Sequence, residues 1–342
     1  MLQTQDSKGM YGLIVIALLI TALLAFVGLS QAQEQADENP TVTVTDLADE
    51  NGDFVTIADE IELYYVSAGD PTDPAVILIH GFGGSTVTWR DTLPALAEAG
   101  YYALALDLPP FGLSDKRTDI DYTRSAMARY VTQFMDALDI DTATIVGHSM
   151  GGSVTAHIAV QSPDRVDHLV FVAGAVYSRE AQTPFAAGQA QNDDDETDPL
   201  MTLLQSIGPD VPFAANVLRA LLTPERFTDI LTSAYVNQEV VTADVVDAYA
   251  RPLQTDNWAQ GFLAYIGAEE TNPVALEDIT IDVPILVMWG EADTWVPITV
   301  GETIIETIDQ AEMVTYAGIG HLPMEEAPQA FNQDLVAFIR AN

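Results

Sequence analysis

Residues 142–152 read TATIVGHSMGG, and they decide how the whole chain is read. A run of β-branched and small apolar residues ends at Val146 and passes into Gly147-His148-Ser149-Met150-Gly151, a G-x-S-x-G pentapeptide, followed by a helical pattern to about Gln161. A strand that turns sharply into a helix needs glycines on either side of the turn. Such a turn lifts the serine to the carboxyl edge of a sheet and aims the helix's N-terminal dipole at it. Ser149 is therefore the candidate nucleophile. A merely structural turn is the competing reading, and the flanking strand and helix argue against it.

The alternation continues on both sides. Residues 54–58 and 61–66 predict a hairpin, and the continuous apolar run AVILI at 75–79 predicts a strand buried on both faces. A helix is expected at 87–99, a strand at 101–106, a helix at 125–138, a strand at 142–146, a helix at 149–161 and a strand at 166–173. Strands alternating with helices at this spacing make right-handed crossovers and a parallel sheet, so the class is α/β. From about 177 to 282 the rhythm breaks. That stretch opens with the acidic AQNDDDETDP at 190–199 and carries the helical patterns PLMTLLQSI, FAANVLRALL and VTADVVDAYA, which predicts a helical insertion. The DDDETD run reads as a solvated loop and not as a metal site. The rhythm resumes with a strand at 284–289, a helix at 299–308, a strand at 313–316 and a helix at 329–341.

A serine attacks a carbonyl only if a base takes its proton and an acid orients the base. The chain has five histidines. His80 and His148 belong to tight turns, and His157 and His168 fall in a predicted helix and strand. His321 stands in the glycine-rich loop Ala317-Gly318-Ile319-Gly320-His321 after the last strand, where a base belongs. Asp293, after the PILVMW strand, is the expected acid, with Glu291 as its rival. Acyl transfer also places negative charge on an oxygen, which needs two aimed N–H donors. Met150, directly after the serine, supplies one; Phe82 in His80-Gly81-Phe82-Gly83-Gly84 is the expected second. No metal or organic cofactor is called for.

The ordered motifs HGFGGS at 80–85 with Trp89, DLPPFGLSDK at 107–116, GHSMGG at 147–152, GEADTWVP at 290–297 and GIGHLPMEEAP at 318–328 are similar to those of the α/β-hydrolase superfamily, in its capped branch of esterases and carbon–carbon bond hydrolases. The resemblance covers about residues 53–342. It implies an eight-stranded, mostly parallel sheet with a helical cap inserted after strand six, and a Ser149, Asp293, His321 triad acting through an acyl-enzyme. Members with an aspartate nucleophile, the haloalkane dehalogenases and epoxide hydrolases, are disfavoured because Ser149 stands at that position. Asp107 and Gly112 read as turn structure. Carboxylic ester hydrolysis is the leading expectation. The alternatives are cleavage of vinylogous diketone ring-cleavage products, which needs a cation for the substrate carboxylate (Arg179, Arg219, Arg226 or Arg251), and a ligand-binding member of the fold without turnover. Cap aromatics Phe185, Phe213, Phe227, Tyr235, Trp258, Phe262 and Tyr265 are expected partly in the cap's own core and partly against an apolar substrate.

Composition bounds the rest. The chain has 342 residues, 51 acidic and 12 basic, for a net charge of −39, and its only lysines are Lys8 and Lys116. Nucleic-acid binding is disfavoured, since it needs a basic stripe to displace phosphate counterions. Solubility in high salt and drift in an exported protein both fit the acidity. With no cysteine there is no disulfide, no thiolate nucleophile and no lipidated cysteine. Residues 10–29 carry no charge and are long enough, at about 1.5 Å per residue, to cross a bilayer core. The expected organisation is a signal peptide or membrane anchor at 1–32, with a small-x-small cleavage pattern ending at Ala32, an acidic linker at 33–52, a hydrolase core at 53–176 and 283–342, and a cap at 177–282. Lys8 before the apolar run and Glu34, Asp37 and Glu38 after it predict the enzyme outside the cytoplasm.

Overall fold

The computed structural model describes residues 42–179, 214–271 and 273–342, all but Val42 belonging to the unit Thr43–Asn342. The expected leader, the first part of the linker, Phe185, Phe213, the acidic 190–199 run and the PLMTLLQSI pattern lie outside the described residues. Among the described residues no helix is long and apolar enough to cross a membrane.

Eight strands form one sheet: β1 (Gly52–Thr56), β2 (Glu62–Ala68), β3 (Ala75–Ile79), β4 (Tyr102–Leu106), β5 (Ala143–His148), β6 (Val166–Val172), β7 (Ile285–Gly290) and β8 (Ala311–Tyr316). Their spatial order is β1-β2-β4-β3-β5-β6-β7-β8. β2 pairs antiparallel with β1 and with β4, and every other pair is parallel.

Alternate residues of the central strands feed two separate cores, as the period of two dictates. Ile77 and Ile79 of β3 pack with Met127 and Phe134 of α2 (Arg124–Ala137), Val154 and Ile158 of α3 (Met150–Gln161) and Ile304 of α8 (Ile298–Thr307). Val76 and Leu78 face the opposite way, against Leu93 and Leu96 of α1 (Thr92–Glu98) and Phe331, Leu335 and Phe338 of α10 (Pro328–Ala341). All five residues of AVILI are buried, and each of its large side chains contributes roughly 1.5–3 kcal/mol of hydrophobic stabilisation.

The helix expected at 87–99 is two pieces, a 3₁₀ turn at Thr86–Trp89 and α1. Pro94 explains the break. It has no N–H to give and clashes with the preceding turn, so it is tolerated in the first turn of a new helix but not inside a continuous one. Between β6 and β7 the described residues carry α4 (Ala214–Leu221), α5 (Pro224–Ser233), α6 (Ala243–Ala250) and α7 (Trp258–Ile266). Here Ala214–Leu221 of the FAANVLRALL pattern and Ala243–Ala250 of VTADVVDAYA are helical, and among the described residues of the insertion the only β pairing is an isolated Tyr177–Ala275 bridge. α5 and α7 were not singled out by pattern, although Thr223 caps α5 by accepting from the Arg226 N–H and Pro224 opens it.

Asp107, buried after β4, ties the second motif to the first. Its carboxylate accepts the Thr86 N–H at 2.6 Å and the Leu113 N–H at 2.7 Å. Gly112 stands at φ +56°, and a Cβ there would lie 1.8 Å from Asp107 Oδ2. Gly112→Ala is therefore expected to lower stability by roughly 1–3 kcal/mol in urea unfolding, through left-handed strain and overpacking. An unchanged midpoint would show that the turn has slack.

Candidate active site

The functional groups gather where the parallel strands end. The register places Ile79 beside Gly147 and His148 beside Val172, so the turns after β3 and β5 sit together at the carboxyl edge. Ser149 occupies φ 51°, ψ −116°, a strained conformation for a non-glycine residue. Its surroundings enforce that geometry: the Ser149 N–H donates to the Val172 carbonyl at 2.9 Å, and the Ser149 carbonyl accepts from Gly152 and Ala175 at 2.9 and 2.8 Å. The glycines are needed for space. A Cβ on Gly147 would meet the Gly151 carbonyl oxygen at 2.3 Å, and one on Gly81 would meet His148 Nδ1 at 2.8 Å and Ser149 Cβ at 2.9 Å.

α3 begins at Met150, directly after the serine, so its leading N–H groups have no acceptor within the helix and its dipole points at the site. His321 follows β8 and Asp293 follows β7. Asp293 Oδ2 accepts from His321 Nδ1 at 2.8 Å, while its Oδ1 accepts from the Trp295 and Val296 N–H groups at 2.8 and 3.0 Å. Glu291, the rival acid, instead accepts from the Thr315 hydroxyl at the surface. Trp295 stacks on the His321 ring, with centroids 5.4 Å apart. The His321 N–H donates to the Ala234 carbonyl, and the His321 carbonyl accepts from His148 Nε2 at 2.9 Å. Burial, with His321 close by, holds the His148 pKa well below the usual imidazole value, so this ring is a neutral prop.

Ser149, His321 and Phe82 wall one cavity of about 110 Å³, together with Gly81, Thr88, Phe227, Ile230, Leu231, Tyr249, Trp295 and others. A serine hydroxyl, a histidine hydrogen-bonded to a carboxylate and the first N–H groups of a helix thus converge on an apolar space. That arrangement can carry acyl transfer without a metal, and no group of ligating side chains occurs among the described residues.

The other residues singled out in the sequence lie elsewhere. His157 Nδ1 donates to the Ser153 carbonyl and His168 contacts the Thr144 hydroxyl, both structural pairings. Tyr265 packs with Phe82 and Phe111, and its hydroxyl accepts from Arg124 at 2.6 Å. Three of the four arginines of the insertion are engaged: Arg179 with Asp278, Arg251 with Asp49, and Arg219 with Asn216, Gln260 and the Asp256 carbonyl. The residues that pattern reading missed are Tyr249, Trp295 and Glu325. Only Trp295 carried a sequence signal, two residues after the expected acid. The stretch after His321 also forms a short helix, α9 (Pro323–Glu326).

A sheet of this order with a serine at the turn after β5, an acid after β7 and a histidine after β8 defines the hydrolase class of doubly wound α/β folds. The family model described as "alpha/beta hydrolase fold" matches residues 74–328, and the chain belongs to that family and is a hydrolase. It is 25% identical over 282 residues to "Uncharacterized hydrolase YugF" of Bacillus subtilis (strain 168), covering 82% of this chain and 96% of that one. It is 27% identical over 289 residues to a 2-hydroxy-6-oxononadienedioate/2-hydroxy-6-oxononatrienedioate hydrolase of Paraburkholderia xenovorans (strain LB400), covering 82% and 91%. Among solved structures, a bacterial membrane phospholipase A superposes with a TM-score of 0.67 at 23% identity, covering 98% of this chain and 99% of that one. A meta-cleavage product hydrolase from Pseudomonas fluorescens IP01 gives 0.65 at 24% identity, covering 85% and 98%. At those identities the two structures speak to the fold.

Proposed function

We propose that this protein is a serine hydrolase that cleaves carboxylic esters. Ser149 Oγ attacks the ester carbonyl as His321 takes its proton. Asp293 holds the His321 ring with Nδ1–H toward itself and stabilises the imidazolium. The N–H groups of Phe82 and Met150 receive the oxyanion. His321 then returns the proton to the departing alcohol, and water attacks the acyl-enzyme by the same route. The observation that carries this reading is the 2.8 Å Asp293–His321 hydrogen bond at the wall of the cavity that Ser149 also lines. The apolar walls suit an uncharged acyl or aryl group.

One observation favours a second reading, carbon–carbon cleavage of a dienoate ketone; several relatives are named as hydrolases of 2-hydroxy-6-oxononadienedioate and 2-hydroxy-6-oxononatrienedioate. Arg226, the cap arginine not engaged above, walls the adjoining cavity and could receive a substrate carboxylate. Both readings are tested by turnover of an aryl-ester chain-length series against a dienoate ketone. Ester cleavage predicts faster turnover of the series and an unchanged KM for uncharged esters in Arg226→Met. Faster turnover of the ketone, with its KM raised roughly tenfold in Arg226→Met, would replace the ester reading.

The segment 177–282 is proposed as the cap over this site. Residues 1–32 are proposed as an export element that leaves the enzyme outside the cytoplasm, either anchored in the membrane by that segment or secreted after cleavage at Ala32. N-terminal sequencing of the mature protein tests this: a chain starting at Gln33 means a cleaved signal, and an intact N-terminus in the membrane fraction means an anchor.

A further inference from the structure

Six residues wall both the cavity at Ser149 and a second, larger one of about 220 Å³ beside it: Phe82, Gly83, Gly84, Phe227, Ile230 and Tyr249. The second cavity continues between Phe111, Leu218, Trp258 and Phe262 and is mostly apolar, with Lys116 and Arg226 also in its wall. Two of the shared residues are glycines. Phe227 and Ile230 lie on α5, and Ile230 is 46% exposed. Phe82 is held by ring contacts to Phe111 and Phe262. Tyr249 differs from all of them, since it is buried and its far end is fixed by hydrogen bonds.

The Tyr249 hydroxyl donates to Glu325 Oε1 and accepts from the Thr88 hydroxyl at 3.1 Å. Glu325 Oε2 accepts from the Tyr235 hydroxyl at 2.7 Å and pairs with Arg90 Nη2 at 2.7 Å. Tyr235 and Tyr249 come from the insertion between β6 and β7, whereas Thr88, Arg90 and Glu325 come from the sheet's flanking layers. A carboxylate buried this deeply is tolerable only when paired and fully hydrogen-bonded. Swinging the Tyr249 ring aside would break one of its bonds in a dry setting, where an unmade bond is most unfavourable. The neighbouring Glu326 strengthens the attachment by accepting from the Gly320, Val236 and Asn237 N–H groups at 2.8, 3.0 and 2.8 Å. Tyr249, which lines both cavities, is thus held at both ends, its Cα by α6 and its hydroxyl by Glu325.

We propose that Tyr249 sets the size of the apolar group accepted beside Ser149, with Glu325 as the positioning residue that holds its ring between the smaller and the larger cavity. This rests on the serine-hydrolase reading above and names the substrate property that the site selects. With the ring in place, the group attached at the reacting centre fills the smaller cavity. Without it, the two spaces join.

The test is the rate of covalent labelling of Ser149 by alkyl fluorophosphonates from ethyl to dodecyl, in wild type, Tyr249→Ala, Tyr249→Leu, Tyr249→Phe and Glu325→Gln. Wild-type rates are expected to fall as the alkyl group outgrows the smaller cavity. Tyr249→Ala should raise the long-to-short ratio roughly tenfold or more, the scale on which apolar pockets discriminate size. Tyr249→Leu, which keeps an apolar filler should the alanine variant not fold, should shift it the same way. Tyr249→Phe and Glu325→Gln, which loosen the ring without removing it, should give smaller shifts of the same sign. A purely structural role lowers all rates by one factor and leaves the ratio unchanged, and that result overturns the proposal while leaving the hydrolase reading intact. A wild type that no member labels overturns both.

Discussion

Ser149→Ala is expected to lower ester hydrolysis by on the order of 10⁴-fold or more, with an unchanged melting temperature and complete loss of fluorophosphonate labelling. The strain at φ 51° belongs to the backbone and not to the hydroxyl, so the elbow persists in the variant. His321→Ala should cost about as much. The double variant should be little worse than either single one, because a nucleophile without its base and a base without its nucleophile are equally idle. Asp293→Asn should keep the fold and lose roughly 10⁴-fold, since the amide can present its NH₂ to Nδ1 and stabilise the wrong tautomer. Glu291→Gln is the internal control: its carboxylate bonds the Thr315 hydroxyl, and activity should stay near wild type. Labelling of Ser149→Ala at the wild-type rate, or equal losses for the Asp293 and Glu291 variants, would remove the triad assignment.

Ser149, Asp293 and His321, the proposed triad, stand out in the sequence because each sits in a local context that carries its own signature. Gly147 and Gly151 bracket Ser149, Gly318 and Gly320 precede His321, and Asp293 follows an uninterrupted apolar strand. The sheet was legible for the same reason, since AVILI and its counterparts are continuous apolar runs. The strand order, in which β3 lies between β4 and β5, was not legible, because hydrophobic pattern does not say which strand is the neighbour. What pattern could not reveal is the set of polar contacts between the insertion and the sheet layers. Tyr249 and Glu325 are 76 positions apart and meet through the packing of two helices, and nothing in VTADVVDAYA distinguishes that tyrosine from a surface one. Trp295 over His321 is likewise a tertiary fact, and Pro94 broke a helix that periodicity alone would have run through.

His80 should make this fold lose stability in mild acid. Its ring is fully buried beside the turn that carries Phe82, with Nδ1–H donating to the Gly81 carbonyl at 2.7 Å and Nε2 accepting the Leu108 N–H at 2.9 Å. Both bonds need the neutral ring, because a proton on Nε2 would face the Leu108 N–H head-on. Burial accordingly lowers the pKa from 6.5 to about 4. Between those values the unfolded chain binds a proton that the folded one refuses. The His80 contribution is therefore whole above pH 6.5 and drains away as pH falls toward 4, in total about 3 kcal/mol and about 2 kcal/mol between pH 8 and pH 5. Asp107 works in the opposite sense. Burial raises its pKa above the usual carboxylate value, so the folded state holds a proton that the unfolded one has lost and stability from this group falls as pH rises through that range. The wild-type curve mixes these with other shifted groups, His148 among them, so the informative quantity is its difference from His80→Gln, whose amide can keep a donor and an acceptor without titrating. Urea unfolding at pH 8 and pH 5 should show the wild-type advantage over His80→Gln shrinking by about 2 kcal/mol. A difference that stays flat across that range would mean that the ring titrates normally in the folded protein and that the turn carrying Phe82 does not depend on its neutrality.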